Sequence, residues 1–218
     1  MIGKSINYDK KYSNNAIWGK PHLDSELKRY LNLLNKGNVL DLGIGEGNNS
    51  IILADLGFNV TGVDNSKKAL DICNNGKSDN LSLIQDDIRN FKIQNNYYDL
   101  IMSRAVLHFL HKDDVKNIIY DIKSNLKNNG LVYITVFSIN DDSMNKKLAN
   151  NDFEKLDNNI FHNTLNDTYM SYFTKDEILE LFDGFETILI SDEYSLDLGH
   201  GEPHYHGIIK YVGKKFNK

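Results

Sequence analysis

Several shortages narrow what this chain can be. A single cysteine, Cys73, rules out a disulfide within the chain and fits a reducing compartment. No apolar run is long enough to span a bilayer, so no membrane partner is expected. Basic residues number 25 against 30 acidic ones, and the two are interspersed, which disfavours a protein that grips long nucleic acid through its phosphates. The opening "MIGKSINYDKKYSNN" lacks the continuous apolar segment of a secretory signal, and a cytoplasmic location is the expectation.

What is present suits one compact domain. At 218 residues and 40% hydrophobic content the chain can bury one core, and a second full domain would be cramped. Asparagine-rich stretches such as "ICNNGKSDN" read as surface loops. Nothing repeats internally, and a monomer or a homodimer is expected.

Along the chain, strands and helices alternate. Leu23, Leu27, Leu31 and Leu34 recur at helical spacing, with Asp24 or Ser25 as cap and Gly37 as the stop. "NVLDLG" reads as a buried strand, "NSIILADLG" as a helix closed by Gly57, and "NVTGVD" as a strand ending in Asp64. The helix "SKKALDICNN", strands "LSLIQ" and "YYDLIMS", helix "DDVKNIIYDIKSNL" and strand "LVYITVF" follow. Such alternation implies a mostly parallel, doubly wound sheet with helices on both faces. The ending differs: after a helix opened by the capping pair Thr174 and Glu177, the strands "FETILISDEY" and "HGIIKYVGKK" are joined without a helix. They must form an antiparallel hairpin, which makes a seven-stranded α/β sheet whose last strand opposes the rest.

The stretch "NVLDLGIGEGNNS" sits at the carboxyl end of the first core strand, where a doubly wound sheet binds its ligand. Gly43 and Gly45 permit close backbone approach, and Asp64 at the end of the next strand can accept from both hydroxyls of a ribose. A nucleoside ligand follows. The dinucleotide fingerprint G-x-G-x-x-G fits badly, because the third glycine, Gly47, arrives one residue early and Glu46 opposes a pyrophosphate at a helix N-terminus. Asp41 suits a ligand carrying a positive amino or sulfonium group. Competing readings stand beside these: Asp41 as a solvated strand-end acid, Asp64 as a helix cap, Asn48 and Asn49 as caps, and Cys73 as a packed core residue.

"VLDLGIGEG" resembles the first motif of the class I S-adenosylmethionine-dependent methyltransferases, an acid followed by G-x-G-x-G, and the resemblance continues through "GVDNSKKAL", "LIQDDIRNF", "YDLIMSRAVLHFL" and "LKNNGLVYITVF". "YDKKY", "KPHLDSEL", "VLHFL", "YFTKDEILELFDGFE" and "GEPHYHGIIKYVGKK" look most like the tellurite-resistance (TehB-like) members. The resemblance implies a Rossmann-like methyltransferase fold and a cofactor map. Asp41 would lie near the methionine amino group, Gly43 and Gly45 beneath the cofactor, Asp64 on the ribose, and Asn65 beside the adenine. Asp87, preferred over Asp86, would accept from the adenine amino group, the Ile88 amide would face a ring nitrogen, and Ser103 and Arg104 would meet the methionine part through their backbone.

The expectation is a single domain over 1–218, made of an N-terminal arm and helix (1–37), a cofactor-binding core (38–137), a lid or substrate insertion (138–173) and a final helix with the hairpin (174–218). Methyl transfer asks mainly for alignment and exclusion of water, so acceptor groups must overhang the cofactor. Tyr8, Tyr12, Trp18 and His22 offer a sulfonium their aromatic faces or pack as an ordinary arm, and Phe153, Phe161, His162, Tyr169 and Met170 stand in the insertion. The hairpin tip "GHGEPHYHG" returns to the cofactor edge, making His204 and His206, with His22, candidate substrate-facing or basic residues. His200, His204, His206 and Glu202 also resemble a zinc-type set, but a hairpin tip does not aim three imidazoles one way, and no metal is expected. His108 reads as structural and His111 as surface.

Other acceptor classes are disfavoured. The turn after the fourth strand is "SRAV" and not Asn/Asp-Pro-Pro-aromatic, and no cysteine follows that strand for a covalent adduct. The expectation is a methyltransferase for a small acceptor, and the subfamily resemblance implies a soft sulfur, selenium or tellurium nucleophile. The alternatives are a nucleoside-binding module without catalysis and an NAD-dependent oxidoreductase.

Overall fold

The computed structural model describes residues 3, 4, 6, 8, 9, 12, 21–34, 36–76, 78–157, 159–197 and 204–216. Trp18, His200, Glu202 and Pro203 lie outside them. Seven strands form one sheet: β1 (Asn38–Leu42), β2 (Asn59–Asp64), β3 (Leu81–Gln85), β4 (Leu100–Arg104), β5 (Leu131–Phe137), β9 (Phe185–Asp197) and β10 (His204–Lys215), in the order β3-β2-β1-β4-β5-β10-β9. β10 alone opposes its neighbours: it runs antiparallel to both β5 and β9, so β9 is parallel to the core. The expected hairpin is therefore inserted with its last strand inward.

Alternation along β1 explains the two-layered core. Leu40 and Leu42 face one cluster with Ile118, Ile119 and Ile122 of α4 (Lys112–Asn125) and with Ile178 of α6 (Lys175–Leu181). Val39 faces the other, with Leu53 and Ala54 of α2 (Asn48–Asp55) and Leu70 and Cys73 of α3 (Lys67–Gly76). Cys73 is thus a packed core residue. Asp41 falls on the α2 side, a buried carboxylate beside the buried Ser50 of α2.

The N-terminal helix is shorter than the leucine spacing predicts. α1 covers Ser25–Tyr30, capped by the Asp24 carboxylate on the amides of Glu26 and Leu27, and gives way to one 3-10 turn over Leu31–Leu33. Asn32 and the exposed Leu33 give the continuation little to bury. Gly37 is not a left-handed stop: a Cβ there would stand 2.2 Å from the Asp99 carboxylate, which accepts from the Asn38 amide. The capping box at Thr174 and Glu177 is present as the sequence predicts.

The segment after β5 holds more regular structure than its composition suggests. It contains α5 (Asp142–Leu148) and a separate antiparallel sheet of β6 (Phe153–Lys155), β7 (Ile160–Asn163) and β8 (Thr168–Ser171). Ser171 Oγ donates to the Leu110 carbonyl at 2.7 Å, fastening this sheet to the turn after β4. No helix among the described residues is long and apolar enough to cross a membrane.

Candidate functional site

The glycine turn lies between the ends of β1 and α2. Gly43, Gly45 and Gly47 have φ of +84°, +55° and +81°, a backbone path that side chains oppose. Gly43 is also held by packing, since a Cβ there would lie 2.3 Å from Val106. Above Gly45 the nearest atom to an added Cβ is the Tyr12 hydroxyl at 3.1 Å, so the outer face of the turn is bare backbone beneath one phenol. Gly47 serves the helix contact: its added Cβ would meet Cys73 Sγ at 2.3 Å.

Two carboxylates organise this turn. Asp64, at the end of β2, accepts from the Gly45 amide through Oδ2 at 2.9 Å and from the Ser66 amide through Oδ1 at 2.8 Å. The Asn65 amide is a third donor to this carboxylate, so of its roughly four acceptor sites about one remains for a ligand hydroxyl. Burial raises the Asp64 pKa in spite of these amides. Its capping of Ser66 and its grip on Gly45 are simultaneous, so the cap reading and the ligand reading do not exclude each other. Asp41 accepts from Ser50 Oγ at 2.6 Å, and burial pushes its pKa up to about 6, with Ser50 and Arg104 opposing the rise. It is not a solvated acid.

The remaining cofactor candidates behave less uniformly. Asn65 donates from Nδ2 to the Ile6 carbonyl, and Ser66 Oγ donates to Asp9 Oδ1 at 2.6 Å, so the arm lies against the end of β2. Asp87 is engaged by Arg89 at 2.7 Å (Nη2) and 3.0 Å (Nε), while Asp86 Oδ1 accepts the Asp87 amide. Its carboxylate faces a guanidinium, a strong competitor to an adenine amino group. Ile88 follows in the same turn, half-buried against the core. Ser103 is fully buried, its Oγ donating to the Leu42 carbonyl. Arg104 Nη2 reaches Asp24 at 2.9 Å, Tyr133 donates to the same carboxylate, and the Asp24 amide donates to Asn49. This network, which no local motif announces, staples α1 to the cofactor side of the sheet.

The arm and the turn after β4 close over the glycines. Tyr8 packs on Phe109 with centroids 5.4 Å apart and on Tyr12 at 6.4 Å, and burial, Tyr12 and Asp64 all raise the Tyr8 pKa. Ala105, directly after Arg104, has φ +54°, and its amide is held by Thr135. A left-handed alanine at the carboxyl end of a parallel strand stores backbone strain.

The histidines separate into distinct environments. His22 is exposed just before α1. His108 is fully buried, accepts from the Phe137 amide through Nδ1, stacks on Phe137 at 3.8 Å, and has a pKa lowered by burial to about 3; it is a neutral packing residue. His204 and His206 come together, Nε2 to Nε2 at 2.9 Å, and His206 Nδ1 bonds Asp141 Oδ2 at 2.7 Å. Asp141 also accepts from the Gly207 amide and from Ser143, whose hydroxyl lies 2.7 Å from that of Tyr172. Burial would raise the Asp141 pKa, but the His206 and Ser143 bonds hold it below the usual carboxylate range. The His206 ring stacks on the opposite side of this set against Phe137 at 4.8 Å. Asp141 is invisible in the sequence as a site residue because it also caps α5, the ordinary use of an acid there. His162 pairs instead with Asp167 and stacks on Tyr169.

A groove of about 800 Å³ between α4, α6 and the small sheet, with Lys112, Lys116, Phe173 and Glu177 in its lining, shares no residue with the glycine turn.

Residues 39–130 match the family model for a methyltransferase domain. The chain is similar to a probable S-adenosyl-L-methionine-dependent methyltransferase TehB of Haemophilus influenzae, 33% identical over 142 residues, which are 64% of this chain and 47% of that protein. It is also similar to an uncharacterized methyltransferase of Bacillus cereus, 30% identical over 66% of each chain. The chain thus spans about half the length of the TehB relative it matches. The crystal structure of TehB from Haemophilus influenzae superposes with a TM-score of 0.68 at 23% identity, over 95% of this chain and 65% of that one. A Burkholderia thailandensis 1,6-didemethyltoxoflavin-N1-methyltransferase with bound 1,6-didemethyltoxoflavin and S-adenosylhomocysteine superposes at 0.59 and 17% identity, over 86% of this chain and 75% of that one.

Proposed function

We propose that this chain, a TehB-like member of the class I S-adenosylmethionine-dependent methyltransferases by its central domain and fold, transfers a methyl group to a small cytosolic acceptor. The observation that carries the reading is the junction of β1 and β2: three left-handed glycines, of which Gly45 stands open beneath the Tyr12 hydroxyl, with the Asp64 carboxylate clamped onto the Gly45 amide at the end of the neighbouring strand. The residues fit S-adenosylmethionine, which supplies a methyl group already activated on a sulfonium.

In this reading the Asp64 carboxylate takes a ribose hydroxyl and Gly43 and Gly45 present backbone to the ligand. Asn65 and the Ile88 amide flank the base, with Asp87 or its neighbour Asp86 accepting from the adenine amino group. Asp41 supplies negative potential for the amino group and sulfonium from beneath the turn, and the backbone of Ser103 and Arg104 borders the methionine part. Tyr8 and Tyr12 close the arm over the site and exclude water.

The acceptor belongs at the carboxyl ends of β4 and β5, beside Phe137 and the hairpin. There Asp141 accepts from His206 Nδ1, His206 Nε2 meets His204 Nε2 at 2.9 Å, and His204 extends the pair outward beside the acceptor. His22 is left as a rim residue. A soft sulfur, selenium or tellurium nucleophile aligned in line with the methyl group needs little more than this positioning.

The test is calorimetric titration with S-adenosylhomocysteine and with NAD, followed by a screen for S-adenosylhomocysteine release over thiols, selenite, tellurite and small amines and acids. Binding of the first ligand alone and turnover on a small acceptor are expected, with Asp64→Ala losing at least tenfold in affinity, about 1.4 kcal/mol. NAD binding in its place overturns the reading. Binding without turnover on any acceptor reduces the chain to a nucleoside sensor.

A further inference from the structure

We infer that Asp197, His204 and His206 form a binding site for one divalent first-row transition ion of the zinc class. This goes beyond methyl transfer and does not depend on it. The register of the hairpin makes the site: His204 stands directly opposite Asp197 across β9 and β10, and His206, two residues along, projects from the same side of its strand. Because both histidines belong to the strand and not to its tip, the objection that a hairpin tip scatters its imidazoles does not apply to them.

The donor atoms converge. His206 Nε2 lies 2.9 Å from His204 Nε2 and 3.7 Å from Asp197 Oδ2, and one donor atom from each of the three lies within 4.8 Å of the others. A tetrahedral ion with bonds of about 2.0–2.1 Å holds neighbouring donors roughly 3.3 Å apart, between the two measured separations.

What surrounds His206 is what a metal-bound imidazole needs. Asp141 accepts from His206 Nδ1 at 2.7 Å and is itself fixed by the Gly207 amide and by Ser143, so the Nε2 lone pair is aimed at His204 and Asp197. Phe137 stacks on the ring at 4.8 Å and holds its plane. Two imidazoles and one carboxylate suit zinc, cobalt, nickel or ferrous ion better than magnesium or calcium, which prefer all-oxygen sets. Three protein donors leave at least one position for water or a substrate atom.

The proton account distinguishes this site from a simple hydrogen-bonded pair. With Nδ1 of His206 protonated, the 2.9 Å contact requires the proton of His204 on Nε2, donated to His206. An ion that takes both Nε2 lone pairs shifts the His204 proton to Nδ1 when the ring is neutral beforehand.

The experiment uses the full chain stripped with a chelator, then titrated with Zn(II) against a chromophoric competitor and with Co(II) by its visible ligand-field bands. One equivalent bound at micromolar affinity or tighter is expected, weakened at least tenfold by His204→Gln or His206→Gln, ten- to hundredfold by Asp141→Asn, and unchanged by His111→Gln. S-adenosylhomocysteine binding and a thermal melt on the same samples report folding. A chain that binds S-adenosylhomocysteine but no stoichiometric zinc, or binds zinc equally well in both histidine variants, overturns the metal site and leaves the cofactor reading intact. Zinc binding without S-adenosylhomocysteine binding does the reverse.

Discussion

Asp41 carries a charge where folding alone would favour a neutral group. Its carboxyl is buried under the glycine turn, and burial lifts its pKa from the ordinary 3.8 to about 6 against the opposing effects of Ser50 and Arg104. A group whose folded pKa is raised contributes stability that is full below its unfolded pKa and lost as pH rises through the folded one. For Asp41 the loss runs from the ordinary value of 3.8 to the folded value of about 6. Above it, the ionised form leaves the native state less stable by about 3 kcal/mol than a neutral group would.

Asp41→Asn keeps an acceptor for the Ser50 hydroxyl, which donates at 2.6 Å, and removes the charge. In urea unfolding at about pH 8, the variant should be more stable than the parent by roughly 1–3 kcal/mol, the range allowing for relaxation around the amide. As pH falls below the folded pKa the difference should shrink, because the parent carboxyl is then protonated. Comparing the two proteins at each pH cancels Asp64, whose pKa burial also raises, and Asp24 and Asp141, whose partners hold theirs low. The same variant should bind S-adenosylhomocysteine more weakly. A variant no more stable than its parent at the higher pH refutes the reasoning, since Arg104 would then already neutralise the buried charge.

Three other substitutions probe separate devices. Asp9→Ala removes the acceptor for Ser66 Oγ and the Lys68 amide and should speed S-adenosylhomocysteine release in stopped flow with little change in melting temperature; an unchanged rate would mean that the arm does not retain the cofactor. Ala105→Gly relieves a left-handed alanine on an exposed position and should stabilise the fold by up to about 1 kcal/mol, a loss of stability contradicting the strain assignment. Thr174→Ala removes the capping box of α6 and should cost about 1 kcal/mol in urea unfolding, whereas no measurable change would show that tertiary packing alone holds that helix.

The core was legible because each buried strand is a short apolar run bounded by glycine or an acid, and each helix between strands carries one apolar face. Leu23 to Leu34 misled because spacing says nothing of where burial stops, and Asn32 with an exposed Leu33 ends the helix early. The small sheet of β6, β7 and β8 escaped notice since strands of three or four residues are too short to display alternation. Around the glycines, the places of Asp41, Gly43 and Asp64 at or beside strand ends were readable from the apolar runs that lead into them. Asp86 and Asp87 were not separable, because adjacent acids differ only in which one a distant or local cation claims, and Arg89 claims Asp87.

The hairpin shows where spacing and topology must be combined. The pattern H-x-H puts His204 and His206 on one side of a strand wherever that strand lies. Only the inward placement of β10 beside β5 brings that side to Phe137 and Asp141. Gly207 makes the approach possible: a Cβ there would stand 2.6 Å from both the Asp141 nitrogen and Ser138 Oγ, so a side chain at this position would lift the hairpin off the connection after β5. The carboxylate that orients His206 lies 65 residues away in sequence. A one-residue slip of β10 would turn both imidazoles to the other face and strand Asp141 as a buried charge without its partner. The register that satisfies Asp141 is therefore the same one that assembles Asp197, His204 and His206, and the burial of one carboxylate fixes the geometry of the three outer groups.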